Sequence, residues 1–198
     1  VSVQAGVPKE APAMTLNRLC GSGLQAVVSA ARVIQMGEAD AALAGGAENM
    51  SRGGYMLPNL RWGQRMGDAT GVDMMVGALT DPFATVHMGV TAENVAEKWG
   101  LSRDMQDEFA VESHRRAAHA EQNGYFEKSV LPIVNHIGEV VLDHDETVRG
   151  DATMESLGAL KPAFEQIGAQ AGFDDVAIQK YPEVERIEHV HTAGNSSG

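Results

Sequence analysis

The 198 residues contain one cysteine, Cys20, so no internal disulfide and no CxxC metal or redox pair can form. That usage fits a cytoplasmic protein. Long apolar runs are also missing: the longest candidate, residues 24–36, is broken by Gln25, Ser29, Arg32 and Gln35, well short of the roughly 20 residues a bilayer crossing requires. No membrane span is expected. Cations are scarce, with 15 Lys+Arg against 27 Asp+Glu and a formal charge of −12. Such a field repels nucleic acid and anionic lipid beyond a Debye length, which argues against nucleic-acid binding. A small phosphorylated ligand would need its own cluster of cations. The first ten residues carry neither a basic n-region nor an apolar h-region, and there is no initiator methionine, so processing or truncation is expected to have removed the start. The rest is ordinary for a globular chain, 43% hydrophobic and 21% charged, enough for one large domain or a domain with an insertion.

Residues 13–50 read as one supersecondary unit. A short strand is predicted over 13–16 and a second over 41–44. Between them, residues 20–36 place Leu24, Val27, Val28, Ala31 and Ile34 at helical spacing, with Gly37 where a helix C′ glycine belongs. Strand, helix and strand with short connections predict a βαβ unit and a buried parallel sheet. From 49 to 82 no period is sustained, and a loop of that length is usually functional or an assembly surface. Thr91 is expected to cap a helix over 92–99 that stops at Gly100. Ser102 is expected to cap another over 103–123, with Met105, Phe109, Ala110 and Ala117 on one face and Gly124 at its end. Strands are predicted over 129–134 and 140–142, and a short helix over 153–160 that Pro162 stops. Residues 165–182 have no clear period, and Val190 opens an extended piece. The chain closes on a glycine-serine turn without a terminal element, so the native polypeptide is expected to continue.

In Asn17-Arg18-Leu19-Cys20-Gly21-Ser22-Gly23-Leu24 the cysteine stands where a strand gives way to a helix. Unpaired N–H groups and the positive helix end favour a thiolate there. Gly21 and Gly23 clear space for a bulky acyl group, and the Cys20 N–H is available to a developing oxyanion. Position alone leaves two readings open, a nucleophile and a buried structural cysteine.

Four separated segments now carry a resemblance: Asn17-Arg18-Leu19-Cys20-Gly21-Ser22-Gly23-Leu24-Gln25-Ala26, Ala44-Gly45-Gly46-Ala47-Glu48-Asn49-Met50-Ser51, His87-Met88-Gly89-Val90-Thr91-Ala92-Glu93-Asn94, and Thr192-Ala193-Gly194-Asn195-Ser196-Ser197-Gly198. In this order they resemble thiolases. The resemblance implies an α/β chain with part of the thiolase fold, a βαβ nucleophile unit with an inserted α+β loop domain. Residues 1–49 would belong to the nucleophile-bearing domain, 50–191 would form the loop domain that covers coenzyme A, and 192–198 would return to the first domain. The C-terminal domain of the family has no counterpart here. Residues 142–146, 160–164 and 172–181 resemble degradative 3-ketoacyl-CoA thiolases, including β subunits of β-oxidation complexes, whereas residues 61–68 are closer to the tetrameric short-chain type.

The activity implied is thiolytic cleavage of a 3-ketoacyl-CoA by coenzyme A, or the reverse Claisen condensation, with Cys20 taking the acyl group as a thioester. Acyl-CoA and CoA are substrates, and no cofactor or metal is implied. The family's activating histidine and second cysteine lie in C-terminal motifs that this chain does not contain, so the 198 residues alone are expected to be inactive, a CoA-binding or assembly piece. By motif match His87 and Met88 line the pantetheine path, Arg149 packs on or beside the adenine, Ser156 lies near the nucleotide, and Ala193, Ser197 and Gly198 contact the pantetheine arm. A homodimer or homotetramer is implied, with a β-oxidation complex as a further partner. Three of these residues also have a plainer reading. Arg149 could pair with Asp151 or Glu146, His87 could be a satisfied core histidine, and Ser197 a turn former. Two clusters imitate metal sites, and neither is read as one: side chains 143–146 alternate faces on an extended segment, and His189 and His191 share a face without a third ligand.

Overall fold

A computed structural model describes residues 1–196. It divides into two compact units, Val1–Ala78 and Leu79–Gly198. Ser197 and Gly198, two of the expected pantetheine residues, lie outside the described residues.

The first unit is organised by helix α1, Ser22–Gln35. Its internal hydrogen bonds need no partner element. Gly37 follows at φ 74°, the left-handed C′ position expected of it. The predicted strands on either side do not form: residues 13–16 and 41–44 pair with nothing among the described residues. A strand exists only through its ladder, and without one these segments carry no regular structure. The apolar stripe of α1 is correspondingly uncovered, with Leu24 73% exposed. The aperiodic stretch after 49 holds a minimal antiparallel pair, β1 (Tyr55–Met56) and β2 (Val72–Asp73), in the register Tyr55↔Asp73. Helix α2, Met74–Ala78, closes the unit.

The second unit has a core. Helix α3 spans Met88–Trp99, and α4 spans Arg103–Gln122. A two-stranded antiparallel pair, β3 (Ile133–Val134) and β4 (Val140–Leu142), follows. Three short helices come after it: α5 (Met154–Gly158), α6 (Glu165–Gln170) and α7 (Phe173–Lys180). Ala84, Val86, Val90, Ala177, Val184 and Ile187 form the buried cluster, with Phe173, Ile178 and Tyr181 packed on it. Residues 165–182, unassigned from sequence, thus supply part of the core.

Two helical expectations change. His87, not Thr91, caps α3: its Nδ1 accepts the Gly89 N–H at 3.0 Å. Thr91 lies inside the helix and donates to Asp81 Oδ2 at 3.2 Å. Ser102 caps α4 as expected, accepting from Met105 N at 3.3 Å, but the inward face is Asp107, Ala110 and His114. Met105 and Phe109, predicted to share a face with Ala110, point out, Phe109 being 75% exposed. The polar residues win this face because partners wait for them there.

Candidate functional site

Cys20 is an exposed free thiol, so the buried structural reading does not describe it. It sits in a 3₁₀ turn, Leu19–Gly21, immediately before α1. Short polar bonds lock this turn: Asn17 Oδ1 accepts the Leu19 N–H at 2.8 Å, and Ser22 Oγ accepts the Arg18 N–H at 2.8 Å while donating to the Leu19 carbonyl at 2.7 Å. Leu19 is held at φ 49°, a left-handed conformation rare outside glycine. The backbone strain falls one residue before the thiol, a common setting for reactive groups. Arg18 Nη1 reaches Gln25 Oε1 at 2.6 Å, fastening the turn to the first helical turns.

In the second unit, the loop ahead of α3 folds tightly around Asp81. Its backbone N–H donates to the Val86 carbonyl at 2.8 Å, and its buried carboxylate accepts from Phe83 N at 2.8 Å. This delivers His87 to the helix N-terminus, where its ring tilts against Phe164 with centroids 5.3 Å apart. Phe164 lies over Gly89, leaving no room for a Cβ. Met88 begins the helix and is partly exposed.

Arg149 is exposed, and its Nη1 donates to the Glu146 carbonyl at 2.9 Å. Among the described residues no carboxylate stands within ion-pair distance of its guanidinium, so neither Asp151 nor Glu146 neutralises it. Its backbone N–H donates to His114 Nδ1 on α4 at 3.2 Å. Ser156 takes part in a capping box at the start of α5: its N–H donates to Thr153 Oγ1 at 3.1 Å, and its Oγ accepts the Thr153 N–H at 3.0 Å. Ala193 is exposed on the turn after Thr192.

The groups that hold this turn were not foreseen from sequence. Glu93 on α3 is fully buried. Its carboxylate accepts the N–H groups of Val190 at 2.9 Å and His191 at 3.1 Å, with the His191 ring nitrogen 2.9 Å away. Burial pushes its pKa up, but the His191 ring, the two backbone N–H groups and the His191 charge outweigh this and bring it below the ordinary 4.5. His189 lies between Asp174, 2.9 Å from Nε2, and Glu93, 3.6 Å from Nδ1. The two histidines thus anchor residues 189–192 to carboxylates of α3 and α7. The only sequence signal was their shared strand face; the carboxylates came from nearly a hundred residues upstream and from an unassigned segment.

The chain is similar to known proteins over most of its length. The family model for the thiolase N-terminal domain matches residues 1–172. The beta-ketothiolase BktB of Cupriavidus necator is 53% identical over 184 residues, 89% of this chain and 47% of that protein. An acetyl-CoA acetyltransferase of the same organism is 47% identical over 171 residues, 84% of this chain and 44% of that protein. The crystal structure of the Bacillus anthracis acetyl-CoA acetyltransferase superposes with a TM-score of 0.74 at 42% identity, covering 83% of this chain and 42% of the other. The chain spans about half the length of the curated relatives it matches, and among the described residues no helix is long and apolar enough to cross a membrane. With a family model covering 172 residues and a fold shared at 42% identity, this mixed α/β chain belongs to the thiolase family.

Proposed function

We propose that the protein carrying this chain is an acyl-CoA C-acyltransferase that cleaves 3-ketoacyl-CoA with coenzyme A and runs the reverse condensation. The observation that carries this reading is Cys20, an exposed thiol on a locked turn at a helix entry in a chain of this family. The Cys20 sulfur attacks the 3-keto carbon, the C2–C3 bond breaks, and its electron pair passes to C2, which is protonated as acetyl-CoA leaves. The thiol of a second coenzyme A then attacks the Cys20 thioester, gives up its proton, and carries the shortened acyl group away. Proton transfer falls to residues of the family's C-terminal motifs.

His87 and Met88 are assigned to the pantetheine path, Ala193, Ser197 and Gly198 to the pantetheine arm, Arg149 to the adenine and Ser156 to the nucleotide. The unneutralised Arg149 guanidinium suits an adenine-phosphate ligand, since it can stack on a purine and offset phosphate charge. We assign residues 1–49 and 192–198 to the nucleophile-bearing domain and 50–191 to the loop domain, in a cytoplasmic homodimer or homotetramer. The segment 61–68, with Trp62 and Met66 exposed, fits an assembly surface. The resemblance of residues 142–146 and 172–181 to degradative enzymes favours fatty-acid β-oxidation. Relatives named acetyl-CoA acetyltransferase favour a second reading, the biosynthetic condensation of acetyl-CoA.

The test is thiolysis of acetoacetyl-CoA and of a long-chain 3-ketoacyl-CoA by the product of the complete gene. Turnover is expected, with an acyl adduct on Cys20 that Cys20→Ser abolishes. The 198-residue chain alone should show none. Turnover that survives Cys20→Ser would overturn the assignment, and preference for the long chain over acetoacetyl-CoA separates the degradative reading from the biosynthetic one.

A further inference from the structure

Three segments carrying proposed coenzyme A residues are tied to one face of α4. Arg103, Asp107, Ala110 and His114 recur at i, i+4, i+7 and i+11, a single helical stripe. His114 receives the backbone N–H of Arg149. Arg103 Nη2 donates to the carbonyls of Leu157 and Leu160, at the end of the helix that carries Ser156. Asp107, 1% exposed, reaches the turn of residues 192–196.

The Asp107 bond leaves the least freedom. Its Oδ2 accepts from Arg103 Nε at 2.8 Å and its Oδ1 from Asn195 Nδ2 at 2.8 Å. A carboxylate only accepts, so it dictates which end of the Asn195 amide faces it. The second Nδ2 hydrogen then meets the Val190 carbonyl at 3.0 Å, and Oδ1 accepts the Thr192 N–H at 2.7 Å. The Asn195 side chain therefore brackets the turn from inside, and Asp107 sets the bracket. Gly194 fits the same arrangement, since a Cβ there would meet Leu157 and Leu160 at 2.6 and 2.7 Å.

We infer that Asp107 is a positioning residue for coenzyme A, acting through the Asn195 carboxamide to hold Ala193 and its neighbours for the pantetheine arm. This rests on the proposed function. In Asp107→Asn one oxygen must serve two donors. The charged Arg103, fixed also by two carbonyls, keeps it, and an NH₂ faces the Asn195 NH₂. Turning Asn195 over merely moves the donor–donor clash to the Thr192 N–H.

The experiment uses the complete gene product with acetyl-CoA and with an acetyl-pantetheine thioester that lacks the nucleotide. Because both substrates share the pantetheine arm, Asp107→Asn should raise KM for both by roughly tenfold, the scale of one hydrogen bond to a charged group. The value of kcat per alkylatable Cys20 should be nearly unchanged. Asn195→Ala should give the same pattern, and Asp107→Asn should add nothing further in that background, since the two act as one unit. If Asp107→Asn does not accumulate folded, Asn195→Ala alone carries the test. Unchanged KM, multiplying effects in the double variant, or a loss confined to the number of titratable sites would overturn the inference while leaving thiolase activity standing. A wild-type protein without turnover would overturn both.

Discussion

Glu93→Gln removes one charge from the interior of the second unit while keeping the side chain's shape. The wild-type carboxylate has an oxygen for each of two backbone N–H groups, from Val190 and His191. Glutamine has one acceptor oxygen and one NH₂, so one buried N–H is left facing a donor. An unsatisfied buried N–H costs about 1–3 kcal/mol, and a histidine ring loses its charged neighbour 2.9 Å away. Together these give about 2–4 kcal/mol of destabilisation at neutral pH. The pH dependence has a definite sign. Glu93 titrates below its ordinary 4.5 in the folded chain, so its contribution is fully present above that value and is lost as pH falls through the folded pKa. The gap between wild type and Glu93→Gln should therefore be fully present above about 4.5 and shrink as pH falls below it. Urea unfolding followed by Trp99 fluorescence, in a Trp62→Phe background that leaves one tryptophan among these 198 residues, measures it. A difference under about 0.5 kcal/mol at pH 7, the range of ordinary surface changes, or one that widens below about pH 4.5, would refute the reasoning.

Gly89→Ala should destabilise the second unit by about 1–3 kcal/mol, because the new Cβ and the Phe164 ring claim the same space. The same unfolding assay reads it, and a neutral result would mean that Phe164 swings away from His87 at no cost. On the outer face of α4, Glu112 accepts from Arg115 and Arg116 at 2.6 to 2.8 Å, and these bonds lower its pKa from 4.5 to about 2. Carboxyl NMR should place its titration there, and Arg115→Ala with Arg116→Ala should return it to the ordinary range; no change in the double variant would remove the arginines as the cause.

Elements bounded by local chemistry were legible in the sequence. Ser102 caps α4, and Gly37, Gly100 and Gly124 stand just past helix ends at positive φ. Each is decided within a few residues. The strands expected at 13–16 and 41–44 find no partner among the described residues, because a short apolar run does not name the segment it would pair with. The inner face of α4 was misread for the opposite reason: Asp107 and His114 look like solvent residues until Asn195 and Arg149 arrive from 88 and 35 positions away. In the proposed site, the place of Cys20 at a helix entry was legible, whereas its exposure, on a turn bonded by Asn17 and Ser22, was not. The buried pair Glu93 and Asp107 could not, since burial of a carboxylate depends on donors that periodicity does not reveal.

That spacing bears on how the polypeptide acquires its structure during synthesis. Glu93 waits for N–H donors 97 and 98 positions downstream. At about 5–20 residues per second, the ribosome delivers them roughly 5–20 s after Glu93 is made. Through that interval α3 and α4 carry charged groups on the faces they will later bury, which keeps the nascent helices wetted and discourages premature collapse. Residues 190–195 then bring donors to both buried carboxylates, Glu93 and Asp107.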